Sequence, residues 1–298
     1  MNPPRIALVT ARAARGLDDD LQPLVTALAN SGAEVAVIDW DDTKVDWSRF
    51  KVALLRSTWD YAERLPEFLA WAQHAAAQTK LLNPLDVLRW NTDKHYLGEL
   101  AQADVPTVPS TFVEPGENAP TTLDAFLAVH AEATDFVVKP AIGAGSRDAQ
   151  RYLRAQRDGA IDHVQRLLDA RRSVLMQPYL DSVDEHGETA LLFFDGIFSH
   201  AIRKGPLLKR GEGATRALFA TEHITPRAPS TRELEVALHA LNVMPFEQPL
   251  LYARVDLIRA DDGTPRLLEL ELTEPSVFLV HDKPAAAHFT AAILHRAT

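Results

Sequence analysis

Over the first third of the chain, short unbroken apolar runs alternate with stretches whose apolar residues recur every three or four positions. "RIALVT" (5–10), "EVAVIDW" (34–40) and "KVALLR" (51–56) are of the first kind and predict buried strands. Residues 18–31, stopped at Gly32, and about 65–78 are of the second kind and predict helices. Strand alternating with helix predicts a doubly wound α/β domain, which binds ligands at the carboxyl ends of its strands, where "RSTWDY" (56–61) falls. From about Asp93 the pattern changes. A helix, a proline-punctuated stretch (106–120), a helix near Leu123, the strand "DFVVKP", a glycine loop, the strand "AQRYLR", a helix near Ile161 and the strand "SVLMQPY" predict a compact α+β unit. After it come "TALLFF", "IFSHAIRK", a hairpin and a helix following Pro284, an antiparallel pattern. The expected division is 1–104, 105–180 and 181–298.

The hairpin, "RVDLIRADDGTPRLLELEL" (254–272), carries Arg254, Asp256, Glu269 and Glu271 at alternating positions in an otherwise apolar sequence. Strand parity puts Arg254 with Asp256 and Glu269 with Glu271, and sends Leu268, Leu270 and Leu272 to the opposite side. A two-residue turn at Asp262-Gly263 pairs Asp261 with Thr264, and so sets Asp256 across from Glu269 and Arg254 across from Glu271. Opposed like charges repel, so the acids need a cation between them. A divalent metal would supply it; a solvated sheet face is the plainer alternative.

Composition narrows the classes. The 298 residues are 46% apolar, which excludes disorder, and a net charge of −10 offers no basic stripe for nucleic acid. A local cationic pocket for a small anion stays open. No cysteine is present, which removes disulfides, thiolate metal sites and a cysteine nucleophile. "MNPPRIALVT" lacks the apolar core of a signal peptide and no apolar run reaches the length of a membrane span, so the expectation is a cytoplasmic protein with no membrane partner.

Neither a P-loop nor a strand followed by G-x-G-x-x-G is present. Instead, "FVVKPAIGAGSRD" sets Lys139 at the end of a strand and Gly143, Gly145 and Ser146 in the following loop, where backbone N–H groups and a lysine can meet a phosphate. An ordinary hairpin loop with a surface lysine would read the same way. "LMQPYL" (175–180) places Gln177 and free backbone groups beside Pro178, suited to an adenine edge or simply an edge strand stopped by proline. Arg203, Lys204, Lys209, Arg210 and Arg216 crowd a glycine-bearing segment, from which one or two can face a polyphosphate.

Lysine, strand-lysine-proline with a glycine loop, a strand ending in a polar-proline hinge, Arg-x-Asp, then Glu-x-Glu: in this order the parts resemble the ATP-grasp superfamily over nearly the whole chain. "ELELTEPS" (269–276) is similar to the closing strand of glutathione-synthetase-like members, with Glu271 where those have asparagine, which leaves the number of metal ions open. "RSTWDY", "RWNTDK" and "ELTEPSVFL" together look most like the O-ureidoserine cyclo-ligase branch of cycloserine biosynthesis. The resemblance implies an N-terminal α/β domain, a small α+β lid and a catalytic domain on an antiparallel sheet. It implies ATP and one or two Mg2+ ions, with Mn2+ as a substitute, and phosphorylation of an amino-acid carboxylate followed by attack of nitrogen. Residue by residue it gives Lys94 and Lys139 to the nucleotide, Gly143, Gly145 and Ser146 to its phosphates, Gln177, Tyr179 and Leu180 to adenine, and Asp181 or Asp184 to ribose. Asp256, Glu269 and Glu271 become metal ligands, Arg254 the partner of the acyl phosphate, and Lys204 and Arg216 phosphate contacts. For a small amino-acid-like substrate, the carboxyl-end loop offers Arg56 for a carboxylate and Asp60 for an ammonium group, with Ser57, Thr58 and Tyr61 beside them, and Thr273, Glu274 and Ser276 follow the metal strand. Dimers are common in such families. An intermolecular amino-acid or peptide ligase and a nucleotide-binding module without chemistry are the competing readings.

Overall fold

The computed structural model describes residues 3–214 and 223–298. In the first unit, β1 (Arg5–Thr10), α1 (Leu21–Asn30), β2 (Glu34–Asp39), β3 (Val52–Ser57), α2 (Leu65–Ala76) and β4 (Lys80–Leu82) build a parallel sheet in the order β2-β1-β3-β4. Strand parity explains its two covers: Ile6 and Leu8 pack with Leu24 and Leu28 of α1, while Ala7 and Val9 pack with Phe68 and Ala72 of α2. The first helix starts at Leu21, later than the sequence pattern suggests. Asp20, at its N-cap, makes no capping bond because its carboxylate is occupied by backbone N–H groups of residues 277–279.

A short helix that the pattern did not suggest, α3 (Leu85–Asn91), precedes α4 (Tyr96–Gln102), the helix expected from Asp93; the two bury Val87, Leu97 and Leu100 against the sheet of the third unit. Next come β5 (Thr111–Val113), α5 (Ala119–Val129), β6 (Asp135–Pro140), β7 (Gln150–Leu153), α6 (Arg157–Asp169) and β8 (Val174–Pro178). Their strands form an antiparallel sheet in the order β5-β8-β6-β7, one face covered by both helices through Leu123, Phe126, Val164 and Leu167. The helix α5 is started by Asn118, whose side chain accepts the Thr121 N–H at 2.9 Å.

The third unit contains α7 (Ser182–His186), β9 (Glu188–Phe194), β10 (Ile197–Lys204), β11 (Ile224–Arg227), α8 (Thr231–Asn242), β12 (Tyr252–Arg259), β13 (Pro265–Glu271) and α9 (Ala285–Arg296). Its antiparallel sheet runs β11-β10-β9-β12-β13, and α9 packs Phe289 and Ile293 into a core shared with β1 and α1. A parallel α/β sheet and two antiparallel sheets thus surround a cleft, the arrangement that the resemblance implies. Helix α8 was not expected from the pattern, although "STRE" (230–233) is a capping box: Ser230 and Glu233 exchange side-chain and backbone hydrogen bonds.

The β12–β13 hairpin pairs Arg254 with Glu271 and Asp256 with Glu269, but by a different route from the two-residue turn. The turn spans Ala260–Gly263, closed by the Gly263 N–H on the Ala260 carbonyl, with Gly263 at φ 80°. That adds a residue on one side, and a bulge at Leu268 restores the register before the charged positions. The bulge corrects one expectation. Leu268 does not share a side with Leu270 and Leu272, and packs instead with Val108, Val183 and Ile258.

Candidate active site

The cleft lies between the lid sheet, the glycine loop, the β9–β10–β12–β13 sheet and the loop after β3, and Lys94, Lys139, Gln177, Arg254, Glu269 and Glu271 all line it. Lys94, between α3 and α4, joins its walls: Nζ lies 2.9 Å from a Glu269 oxygen and donates to the Gly143 carbonyl at 3.0 Å, while its own N–H bonds the Ala141 carbonyl. Burial alone would lower the Lys94 pKa, but Glu269 outweighs it and holds the ammonium charge. For Lys139 burial wins, and its pKa is lowered. Gly143, Gly145 and Ser146 also line the cleft, with Gly145 and Ser146 in the left-handed region at φ 61° and 59°. Arg147 follows them and forms an ion pair with Glu63 of the first unit.

Gln177, Pro178, Tyr179 and Leu180 line one end of the cleft, beside the apolar Ile258, Val183 and the bulged Leu268. Asp181 and Asp184, expected beside ribose, do not line it. The turn into α7 carries them outward around Arg151, which bonds Asp184 at 2.9 Å and lies 3.6 Å from Asp181. The acid that does enter this region is Glu188, at the head of β9, paired with Lys204 at 2.7 Å. Its signal was an acidic residue directly after Gly187 and opening an apolar strand, which went unread because the register that sets it opposite Lys204 is formed across a hairpin.

The charged face of the hairpin is not an open cluster of three carboxylates. Asp256 is 1% exposed, and both its oxygens are filled: Lys204 Nζ donates at 2.7 Å, Arg254 Nη2 at 2.9 Å and Arg254 Nε at 2.9 Å. Burial works against its charge, but these two cations hold the Asp256 pKa low. The same arginine bonds Glu271, and its Nη1 donates to the Ser276 carbonyl at 3.2 Å. Like charges opposed across the strands are thus separated by basic side chains. Glu269 and Glu271 remain facing the cleft. Burial raises the Glu269 pKa less than Lys94 and Lys139 lower it, so that carboxylate stays charged, whereas burial pushes Glu271 up to about 7. Among the described residues no three carboxylate or imidazole groups converge to enclose a metal ion. Two cleft-facing carboxylates with incomplete charge compensation nevertheless suit Mg2+, which binds through one or two carboxylates together with phosphate oxygens.

Of the substrate candidates, Tyr61, Glu274 and Ser276 line the cleft and Trp59 joins them. Arg56, Ser57, Thr58, Asp60 and Thr273 do not. Arg56 is buried behind the 275–279 loop, donating to the Pro275 carbonyl at 3.0 Å, and Ser57 bonds Thr10 at 2.7 Å. Thr58 is fully buried. Asp60 accepts the Trp40 indole N–H at 2.8 Å, and Thr273 bonds Asn91 at 3.2 Å. Lys209 and Arg210 are exposed, Arg210 pairing with Asp135, and Arg203 bonds the carbonyls of Glu185 and His186. Arg216 lies outside the described residues.

Residues 6–83 match the family described as the N-terminal domain of D-cycloserine synthetase DcsG. Over 293 residues the chain is 41% identical to the cycloserine biosynthesis protein DcsG of Streptomyces lavendulae, covering 98% of each. This chain belongs to the DcsG family. The crystal structure of D-cycloserine synthetase DcsG superposes with a TM-score of 0.92, covering 99% of this chain and 100% of that one. More distant DcsG-like folds include the ATP-grasp ligase PsnB in complex with Mg and ADP (TM-score 0.65, 18% identity, 98% of each chain). D-alanine–D-alanine ligase from Bacillus anthracis in complex with ATP is another (TM-score 0.62, 17% identity, 99% of this chain and 97% of that one). The chain is an ATP-grasp ligase. No described helix is long and apolar enough to cross a membrane.

Proposed function

We propose that this ligase activates the carboxylate of an O-ureidoserine-like amino acid with ATP and closes the ring through the substrate's own nitrogen, as a cycloserine-forming enzyme would. One observation supports the reading: Gln177–Leu180 and Lys139, which in this reading hold the nucleotide, line the same cleft as Trp59, Tyr61 and Glu274, which in this reading hold the amino acid, and as Arg254 and Glu271. The 41% identity to a cycloserine biosynthesis protein supports the choice of reaction.

In this reading, Leu268, Ile258 and Val183 form an apolar seat for adenine beside the hinge, and Glu188 takes the ribose role that Asp181 and Asp184 are too far out to fill. Lys94, Lys139 and the amides of 143–146 hold the phosphates. Glu269 and Glu271 would hold Mg2+, which would neutralise phosphate charge during transfer. The substrate carboxylate attacks the γ-phosphorus, ADP leaves, and Arg254 meets the negative charge on the resulting acyl phosphate. Asp256 and Lys204 keep that guanidinium in place. The nitrogen bonded to oxygen then attacks the acyl carbon, loses its proton and expels phosphate, in a cleft whose closure keeps water from the mixed anhydride; the ring nitrogen still carries the carbamoyl group, which hydrolysis removes as carbon dioxide and ammonia to leave the cycloserine ring.

ADP release with O-ureidoserine alone, and a cyclic product by mass spectrometry, is the expected result. A requirement for a second amino acid would replace the cyclo-ligase with an intermolecular ligase. No ADP release with any amino acid or pair would leave a nucleotide-binding module.

A further inference from the structure

We propose that Glu274 anchors the α-ammonium group of the substrate amino acid. The inference rests on the reading of the cleft as an amino-acid ligase site and names the group that selects the substrate within it. Every other carboxylate lining the cleft has a cationic partner inside the protein: Glu269 has Lys94, Glu271 has Arg254 and Glu188 has Lys204. Glu274 has none. Its carboxylate makes no hydrogen bond or ion pair with any described residue, although Glu274 is only 8% exposed and lines the same cleft. A buried carboxylate without a partner is costly, and a ligand that brings its own cation removes that cost.

Position gives the cation its identity. The Glu274 carbonyl accepts the Trp59 indole N–H at 3.3 Å, and two residues along the loop the Ser276 carbonyl accepts from Arg254 at 3.2 Å. Glu274 therefore lines the cleft together with the aromatic Trp59 and with Arg254, the arginine assigned to the acyl phosphate. A group one carbon away from the reacting carboxylate falls there, and in an α-amino acid that group is an ammonium. Asp60, the acid expected for this task, is committed to Trp40 and flanked by Arg64 at 3.9 Å, away from the cleft. Burial, with the Glu271 charge adding to it, pushes the free Glu274 carboxyl up to about 8, in keeping with a negative charge that lacks its counter-charge.

The test crosses two changes: Glu274→Gln in the protein and loss of the α-amino group in the substrate, with ADP release measured for O-ureidoserine, its des-amino analogue and a panel of free amino acids. For the best amino-acid substrate of the wild type, Glu274→Gln should lower kcat/KM by about 10²-fold, mostly through KM. For the des-amino analogue the two proteins should agree within about threefold, because the lost partner is already missing. ATP affinity and the Mg2+ concentration for half-maximal rate should be unchanged, which also shows that the variant is folded. An equal loss on both substrates, no loss on either, or a defect repaired by excess Mg2+ would overturn the assignment. If the wild type prefers another amino acid to O-ureidoserine, the reaction proposed above fails while the Glu274 comparison is read with that amino acid. If no amino acid in the panel is turned over, both fall.

Discussion

Arg254 is the residue on which binding and chemistry separate most cleanly. Its guanidinium bonds Asp256 and Glu271 and reaches Ser276, so replacing it removes the charge proposed to meet the acyl phosphate and also uncovers two carboxylates. Arg254→Met should keep ATP affinity within a few fold, since Lys94 and Lys139 remain. Turnover should fall by about 10²–10³, and denaturant titration should show a stability loss of roughly 3 kcal/mol. A variant with wild-type turnover would remove Arg254 from the chemistry. The raised carboxyls make a second prediction. With Glu271 at about 7 and Glu274 at about 8, the folded protein holds protons that the unfolded chain has released above its ordinary carboxyl range, so stability is lost as pH rises through these values. His163, held down to about 4 by burial, acts with the opposite sign and only below its ordinary pKa of about 6.5. Between pH 6.5 and 8.5 the melting temperature of the ligand-free protein should therefore fall, and fall less in Glu274→Gln. Parallel curves for the two proteins would contradict these ionisations.

At the scale of elements, the segment after β13 is held in place by the first unit, far away in sequence. The Asp20 carboxylate accepts the N–H groups of Val277, Phe278 and Leu279 at 2.7, 2.9 and 2.6 Å, and Arg56 holds the Pro275 carbonyl. Phe278 sits in the left-handed region at φ 53°, a conformation this clamp stabilises. Asp20→Ala strands three buried donors. It should cost ~3 kcal/mol in a thermal or urea melt and raise KM for the amino acid more than KM for ATP, because Glu274 and Ser276 lie on that loop and Gln177–Leu180 do not. A uniform rise in both would mean that the clamp serves folding alone. The β12–β13 hairpin shows how much of an element can be read in advance. The expected pairs of Arg254 with Glu271 and Asp256 with Glu269 are observed, although the two-residue turn from which they were derived does not form. The longer turn and the Leu268 bulge were not legible, because the two changes cancel at the charged positions and leave the pattern intact.

For the whole molecule, the lid and the first unit are joined at the glycine loop by the Glu63–Arg147 ion pair, and Arg172 holds the base of that loop through Asp148 at 2.6 Å. ATP with Mg2+ should slow amide exchange across 141–148, and Glu63→Ala should speed exchange there in the free protein while leaving α6 unaffected; no difference at saturating nucleotide would exclude loop closure from the mechanism. The strands β1–β3, β6–β10, β12 and β13, the longer helices other than α8, and the sequence of lysine, glycine loop, hinge and acidic strand were legible in the chain itself, because each depends on periodicity or on near neighbours; the short strands β4, β5 and β11 and the helices α3 and α8 were not. The ATP-grasp fold was implied by the resemblance those motifs carry. Which acids face the cleft was not legible. Glu188 enters and Asp184 leaves because of a turn and a hairpin register; Asp256 is closed off because β10, carrying Lys204, and β12, carrying Arg254 and Asp256, are brought to the two sides of β9 only in the folded sheet. Arg56 and Asp60 were drawn into structural bonds with Pro275 and Trp40. A charged side chain is committed to whichever opposite charge or backbone group reaches it first in three dimensions, and those partners lie as far as 259 positions away in the chain, as between Asp20 and Leu279.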